Sequence, residues 1–468
     1  MPNINGVFDL AVIGAGSAGF SAAITAAEQG AQVILIGHST IGGTCVNVGC
    51  VPSKTMIRAA ETLHQARTAS RFHGIRASGS VTDWSAVMAD KSQLVSELRK
   101  AKYTDILASY ESIKYREGKA RLTDGGISID GDFVKVSKVI IATGSSASPP
   151  PIEGIDDVPC LTSTTALELD HLPASLIIIG GGVIACELGQ MFARMGTAVT
   201  ILCRSRLLPS GEPEISEALK QSLQAEGLNL LYGVSYQSIT KNGDVCLAFR
   251  HGGSHHKLIA EHVLMATGRR ANSDDLGLEE MGVELLANDG IKVNDRMRTT
   301  RNGVYAAGDV TGRDMFVYMA ANGAKIAAEN ALNGDSRQYD NSVMPEVVFT
   351  DPQVAHVGLT EAAAREAGFD VKTSILGMEN VPRALAARDT RGLIKLVADA
   401  NTRKLIGAHI LAPEGADSIQ TAAIAIKAGM TIDELGGMIF PYLTTVEGLK
   451  LAAQTFDRDV SKLSCCAG

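Results

Sequence analysis

Residues 10 to 19 read Leu10-Ala11-Val12-Ile13-Gly14-Ala15-Gly16-Ser17-Ala18-Gly19. The apolar run from Phe8 to Ile13 predicts a buried parallel strand. It feeds a G-x-G-x-x-G loop, an alanine-rich helix to about Gln29, and a second apolar strand, Ala31 to Ile36. That order within about 30 residues is the dinucleotide-binding fingerprint in the context it requires. A lone G-x-G-x-x-G would carry little weight. In the Gly14-Ala15-Gly16 turn, Gly14 permits the bend and Gly16 admits a pyrophosphate, while Gly19 lets the helix pack closely. The helix N-terminus then faces the phosphates. One position departs from the pattern: the ribose-binding acid expected after the second strand is replaced by Gly37, followed by His38. Ribose binding there must use other groups, such as backbone or water.

The unit occurs twice. A strand from Leu176 to Ile179 enters Gly180-Gly181-Gly182-Val183-Ile184-Ala185, a helix runs through Met195, and a strand follows from Ala198 to Leu202. Alanine in the third glycine position is tolerated. Here too the acid is missing, and Cys203-Arg204-Ser205-Arg206 stands in its place. A carboxylate would suit the ribose hydroxyls of NAD, whereas Arg204 and Arg206 match a 2′-phosphate, so this unit is read as preferring NADPH. Two solvated surface arginines are the plainer reading. Cys160, Cys186, Cys203 and Cys246 have no partner spacing and read as plain thiols.

Between the units lies Gly42-Gly43-Thr44-Cys45-Val46-Asn47-Val48-Gly49-Cys50-Val51-Pro52-Ser53-Lys54, ahead of a helix-like segment from Met56 to Gln65. Cys45 and Cys50 are spaced to meet at a helix start, where the dipole lowers a thiol pKa that is about 8.5 in a free cysteine. A pair of buried structural cysteines is the plainer alternative. A ferredoxin-like iron–sulfur loop would need a further cysteine at position 53, which is Ser.

With the fingerprint upstream, this run resembles the redox-active disulfide segment of the pyridine nucleotide–disulfide oxidoreductases, and the resemblance extends over essentially the whole chain. The resemblance implies that the first unit binds FAD, and that Gly43, Thr44 and Lys54 line its site. Cys50 would be the flavin-proximal thiol and Cys45 the interchange thiol. It further implies that Glu187 pairs with Lys54 beside the flavin ring. The Ala-Thr-Gly turns at Thr143-Gly144 and Thr267-Gly268 close the nucleotide segments. Asp309, in Val304-Tyr305-Ala306-Ala307-Gly308-Asp309, would accept hydrogen bonds from ribityl hydroxyls. Phe349-Thr350-Asp351-Pro352 resembles the start of the interface domain through which such enzymes form homodimers.

The C-terminal region narrows the resemblance. Disulfide-reducing members carry His-Pro-Thr-x-x-Glu, in which the histidine shuttles protons. This chain has Tyr442-Leu443-Thr444-Thr445-Val446-Glu447, and no histidine follows His409. A phenol of pKa about 10 is a poor shuttle at neutral pH. The chain ends Ser464-Cys465-Cys466-Ala467-Gly468. Adjacent Cα atoms about 3.8 Å apart are too close for a relaxed disulfide, so Cys465 and Cys466 favour thiolates, a ligand set for a soft metal ion. A frayed terminus is the alternative. Tyr442 and the Cys-Cys-Ala-Gly terminus resemble the mercuric reductase branch of the family. In that branch a tyrosine in a context like Lys102-Tyr103-Thr104 lies beside the active-site cysteines. From residues alone, Tyr103 would be an ordinary packed tyrosine. The branch implies Hg(II), arriving as thiol complexes, passing from Cys465 and Cys466 of the partner subunit to Cys45 and Cys50. Tyr103 and Tyr442 would line that site. The rivals are a disulfide reductase of the same family, thioredoxin-reductase-like or dihydrolipoamide-dehydrogenase-like, and a non-catalytic protein that binds thiophilic metals.

Composition is consistent with this. The 468 residues leave room for several domains, and 48 glycines exceed the usual share of about 7%. A net charge of −8 argues against nucleic acid or an anionic membrane as partner. There is no membrane-length apolar run and no signal pattern, and the eight cysteines suit a reducing cytoplasm. The expected fold is α/β, with two Rossmann-like dinucleotide-binding domains and a C-terminal α+β dimerisation domain. Its segments are residues 1–147 and 272–343 for FAD, 148–271 for NADPH, and 344–468 for the interface. Ser148-Pro149-Pro150-Pro151 reads as a stiff linker.

Overall fold

A computed structural model describes residues 7–460. These form two compact units. The first comprises the chain up to Thr55, Ser85–Ser148 and Gly268–Asn341; the second comprises Met56–Trp84, Pro149–Thr267 and the chain from Ser342. The α/β class is as expected from the sequence.

In the first unit, β1 (Leu10–Ile13), α1 (Ser17–Glu28), β2 (Val33–Gly37), α2 (Gly43–Asn47), α3 (Cys50–Arg67), α4 (Trp84–Arg99) and β3 (Ile113–Glu117) follow in order. The sheet is parallel throughout, ordered Val304–Ala306, Val139–Ile141, β1, β2, β3. Successive residues of a strand point to opposite faces. Leu10, Val12, Val33 and Leu35 therefore enter one core, with α1 and the helix Val317–Asn333. Ala11, Ile13, Ile34 and Ile36 enter the other, beneath a small antiparallel sheet spanning 120–135. Burial on both faces explains why these strands are apolar without alternation.

Some element boundaries differ from expectation. β1 begins two residues late, at Leu10, and the Asp9 carboxylate just ahead of it accepts the Gln32 N–H at 2.8 Å. The helix expected from Met56 starts at Cys50. Pro52 allows this, since the first-turn N–H it lacks has no intrahelical partner. α4 passes at Arg99 into a π-helical turn, Lys100–Thr104, followed by a last helical turn, Asp105–Ala108.

The second unit holds a four-stranded parallel sheet ordered Asn229–Leu231, Ala198–Leu202, Ser175–Ile179, His262–Met265. It also carries an antiparallel sheet within 235–260. A five-stranded antiparallel sheet with its helices forms the C-terminal region, around a core that includes Ile394, Leu396, Ile410 and Leu449.

Candidate active site

The turn after β1 can hold only glycine at position 14. Its φ is +118°, and a Cβ there would fall 2.2 Å from the Ala142 carbonyl oxygen. Gly19 sits buried on the first turns of α1. Gly16 caps α1, and no side chain takes up the helix's first N–H groups, which leaves them for an anion. The cysteine segment then folds back onto this loop. Gly42 N–H donates to the Ala15 carbonyl at 2.9 Å. A Cβ on Gly43 would lie 2.6 Å from the Gly16 Cα. Gly16 and Gly43 thus face one another as bare backbone, a cradle that suits a pyrophosphate and that any side chain would fill.

Cys45 lies in α2, and Cys50 is the first residue of α3. The Cys45 thiol hydrogen-bonds to the Cys50 sulfur, and the Cys50 N–H donates to the Cys45 sulfur. The thiol–thiol bond, then burial, then the charge of Cys50 push the Cys45 pKa far up, against the opposing pull of the Cys50 N–H and the Lys54 charge. Cys45 therefore keeps its proton, while Cys50 stands at the start of α3. Thr44 shapes the link between the two, its carbonyl accepting the Val48 N–H at 3.0 Å. Asn47 ties the segment down through its Nδ2, which donates to the Ile41 and Gly43 carbonyls at 2.9 Å each. Arg99 in turn braces Asn47 Oδ1 at 3.1 Å.

Tyr103 stands on the π-helical turn, a distortion frequent at functional sites. Its ring meets Phe20 edge-on at 4.8 Å, and its hydroxyl is 3.3 Å from Ser17 Oγ. Burial raises its pKa, the Ser17 contact opposes this, and the charges of Cys45 and Cys50 add to the rise. The hydroxyl is thus a neutral group within electrostatic reach of both sulfurs. A contact to Ser17 across 86 residues leaves no local signature in the sequence.

Asp309 opens a short 3-10 helix, where its carboxylate accepts a hydrogen bond from Ser145 Oγ at 2.6 Å. Ser145 is held by Arg269, whose Nε donates to the same Oγ at 2.7 Å. The Thr143-Gly144 turn is clamped by Asn272, which accepts from Thr143 Oγ1 at 2.7 Å and donates its N–H to the Gly144 carbonyl at 2.9 Å. Gly268 accepts the Ser148 N–H at 3.1 Å. Ser145, Arg269 and Asn272 carried no motif and were not singled out from sequence.

In the second unit Gly180 repeats the geometry of Gly14, and Gly182 caps the helix Val183–Met195 with no side chain on its first N–H groups. The loop after the second strand also folds back, with Leu208 N–H donating to the Gly181 carbonyl at 2.7 Å. Arg204 is exposed. Arg206 is tied in, its Nη2 donating to the Pro209 and Gly211 carbonyls at 2.8 and 2.7 Å. Its Nη1 is buried and has no partner among the described residues, a donor suited to a phosphate oxygen. Glu187 is buried and accepts the Phe349 N–H at 2.8 Å. Cys186 and Cys203 are not isolated from each other: both lie against Gly181, and burial pushes Cys203 up to about 11.

Tyr442 is half exposed, ahead of the helix Glu447–Gln454, in a loop where Leu443 adopts φ +61° and donates its N–H to Glu447 Oε2 at 3.2 Å. Cys465 and Cys466 lie outside the described residues. Among the described residues no helix is long and apolar enough to cross a membrane.

Comparison with known proteins bears on all of this. Residues 8–324 match the family described as pyridine nucleotide-disulphide oxidoreductase, and residues 344–453 match that family's dimerisation domain. The chain is 46% identical over its full length to a mercuric reductase of Staphylococcus aureus, covering 85% of it. It is 45% identical to a mercuric reductase of Streptomyces lividans, over 98% of both chains. Among solved structures, the Cu(II) complex of the HOCl-induced flavoprotein disulfide reductase RclA from Escherichia coli matches with a TM-score of 0.85 at 29% identity. That match covers 96% of this chain and 99% of the other.

Proposed function

The chain belongs to the pyridine nucleotide–disulphide oxidoreductase family, and within it is an FAD- and NADPH-dependent enzyme that reduces Hg(II); from that premise we propose how its residues divide the work. The observation that carries the proposal is the hydrogen-bonded Cys45–Cys50 pair, with Gly43 of the same segment seated on Gly16 of the glycine loop. The first unit takes FAD and the second NADPH. We assign residues 1–147 and 272–343 to the FAD domain, 148–271 to the NADPH domain and 344–468 to the interface.

The α1 N-terminus and the Gly14–Gly16 loop receive the FAD pyrophosphate, with Gly43 and Thr44 closing over it. Asp309, fixed by Ser145 and Arg269, accepts from the ribityl hydroxyls, and Thr143, Gly144 and Lys54 line the remainder. Bound FAD supplies a relay that accepts hydride from NADPH and hands on an electron pair. Gly180, Gly182 and Gly268 shape the NADPH site. There Arg206 offers its unpartnered buried Nη1 to the 2′-phosphate, with Arg204 beside it. Lys54 and Glu187 are the charged residues we assign to the flavin chemistry.

Hg(II) exchanges its thiolate ligands for Cys45 and Cys50, and the displaced ligands leave as thiols. The soft dithiolate holds the ion while one electron pair reduces it. NADPH and Hg(II) become NADP⁺, a proton and Hg(0). Tyr103 contributes a neutral hydroxyl at the sulfurs, and Tyr442 lines the entry. The dimerisation domain supports a homodimer. Met438, Ile439, Tyr442 and Leu443 form an exposed apolar stretch for a second copy to cover. In that dimer Cys465 and Cys466 of one chain deliver Hg(II) to Cys45 and Cys50 of the other. A cytoplasmic location, which keeps these thiols reduced, completes the proposal.

Replacing Cys465 and Cys466 together by Ala tests the delivery step. Reduction of the flavin by NADPH should persist, while turnover of Hg(II) presented as a bulky dithiolate complex should collapse and turnover of the bromide complex persist in part. Unaltered turnover of the dithiolate complex would sink the hand-off.

A further inference from the structure

The first unit lacks the carboxylate that would hold the adenosine ribose, and the fold shows what occupies its place. β2 ends at Gly37, and β3 runs parallel beside it, pairing Leu35 with Tyr115 and Gly37 with Glu117. The Gly118 N–H closes the end of this ladder on the Gly37 carbonyl at 2.8 Å. Paired residues of parallel strands point to the same face, so Tyr115 and Glu117 share the face that a side chain at position 37 would use. A Cβ at 37 would lie 2.9 Å from the Tyr115 hydroxyl and 2.8 Å from the Ala15 Cβ. The phenol oxygen therefore rests above Gly37, beside the glycine loop, at the carboxyl end of the sheet where dinucleotides bind. Arg116, between the two, is turned away to Asp132 at 2.7 Å.

We propose that the Tyr115 hydroxyl and the Glu117 carboxylate together hold the adenosine ribose hydroxyls of the dinucleotide bound by the first unit. The inference rests on the reading that this unit takes FAD. A carboxylate accepts from two hydroxyls, and a neutral phenol both donates and accepts, so the pair offers what one acid at position 37 would offer. Burial, and after it the charge of Glu117, raises the Tyr115 pKa, which keeps the phenol protonated beside its acidic neighbour. Glycine at 37 then follows from the arrangement: any side chain would displace the hydroxyl that replaces it.

The test compares FAD with an analogue whose adenosine is 2′,3′-dideoxy, binding each to apoprotein and reading the quenching of flavin fluorescence. Unaltered protein should bind the analogue about 30- to 1,000-fold more weakly, the cost of losing one neutral and one charged hydrogen bond. In Tyr115→Phe with Glu117→Gln, FAD affinity should fall by a similar factor and the preference between the two ligands should largely vanish. Tyr115→Phe alone, which keeps the ring's packing, should lose part of the preference. A preference equally large in all three proteins would overturn the inference, as would none in the unaltered protein. If unaltered apoprotein took up no FAD, the assignment of flavin to this unit would fall first, and the inference with it.

Discussion

The two nucleotide-binding units share a backbone device and use it for different ends. In each, a strand, a glycine loop and a helix lead to a second strand, and the chain beyond it folds back onto the loop. Gly42 N–H reaches the Ala15 carbonyl in the first unit, and Leu208 N–H reaches the Gly181 carbonyl in the second. Ala15 and Gly181 occupy the same position of the fingerprint. In the first unit the returning segment carries Cys45 and Cys50; in the second it carries Arg204 and Arg206. On the proposed assignment, the repeated scaffold fixes where a dinucleotide lies, while the returning segment decides whether the unit passes electrons or selects a coenzyme.

The largest effect that would break this comparison is expected at Gly43. Gly43→Val places a branched side chain where the Gly16 Cα already stands 2.6 Å from a Cβ, at a φ of +64°. FAD affinity should fall by at least about 100-fold, as expected when a close backbone approach is blocked. NADPH affinity, read by fluorescence titration, should hold. Equal loss of both would mean the fold collapsed rather than the cradle.

A smaller change should follow from Arg204→Ala with Arg206→Ala. The buried Arg206 Nη1 contributes about 1.5–3 kcal/mol and the exposed Arg204 little, so KM for NADPH should rise by about 10- to 150-fold while kcat and KM for NADH change little. Arg206→Ala alone should also loosen the loop, because Arg206 holds the Pro209 and Gly211 carbonyls. A lowered melting temperature for Arg206→Ala but not for Arg204→Ala would separate those two roles.

The smallest effect is a shift of pH dependence. In the reduced protein the bond to Cys50 is the main cause of the raised Cys45 pKa, so the Cys45 thiolate forms only in alkaline solution. Cys50→Ala removes that cause, and alkylation of Cys45 by iodoacetamide should begin at lower pH. Onset at the same or a higher pH would show that the two sulfurs do not share a proton.

Much of this was legible in the sequence because strands buried on both faces are unbroken apolar runs and glycine loops stand at fixed offsets from them. The Gly14 and Gly180 loops and the helices behind them lie where the fingerprint put them. The start of α3 was misplaced because proline in a first turn reads as a breaker when the helix boundary is unknown. What stayed hidden are contacts between residues far apart in the chain. Tyr103 with Ser17, Asp309 with Ser145 and Arg269, and the Tyr115 hydroxyl over Gly37 each join side chains that no period or motif connects. The missing acid at Gly37 was visible as an absence, but its replacement stands on the neighbouring strand and emerges only when β2 and β3 are set in register.

The central claim is that electrons from NADPH reach Hg(II) through the Cys45–Cys50 pair. The direct test measures mercury vapour and NADPH oxidation together, in unaltered protein and in Cys45→Ala and Cys50→Ala, each loaded with FAD. The account predicts one Hg(0) released per NADPH consumed in the unaltered protein. It predicts a loss of at least about a thousandfold in both variants, as for a group that acts as one unit with its partner, with NADPH still reducing their flavin. Mercury vapour released by either variant at the unaltered rate would contradict it.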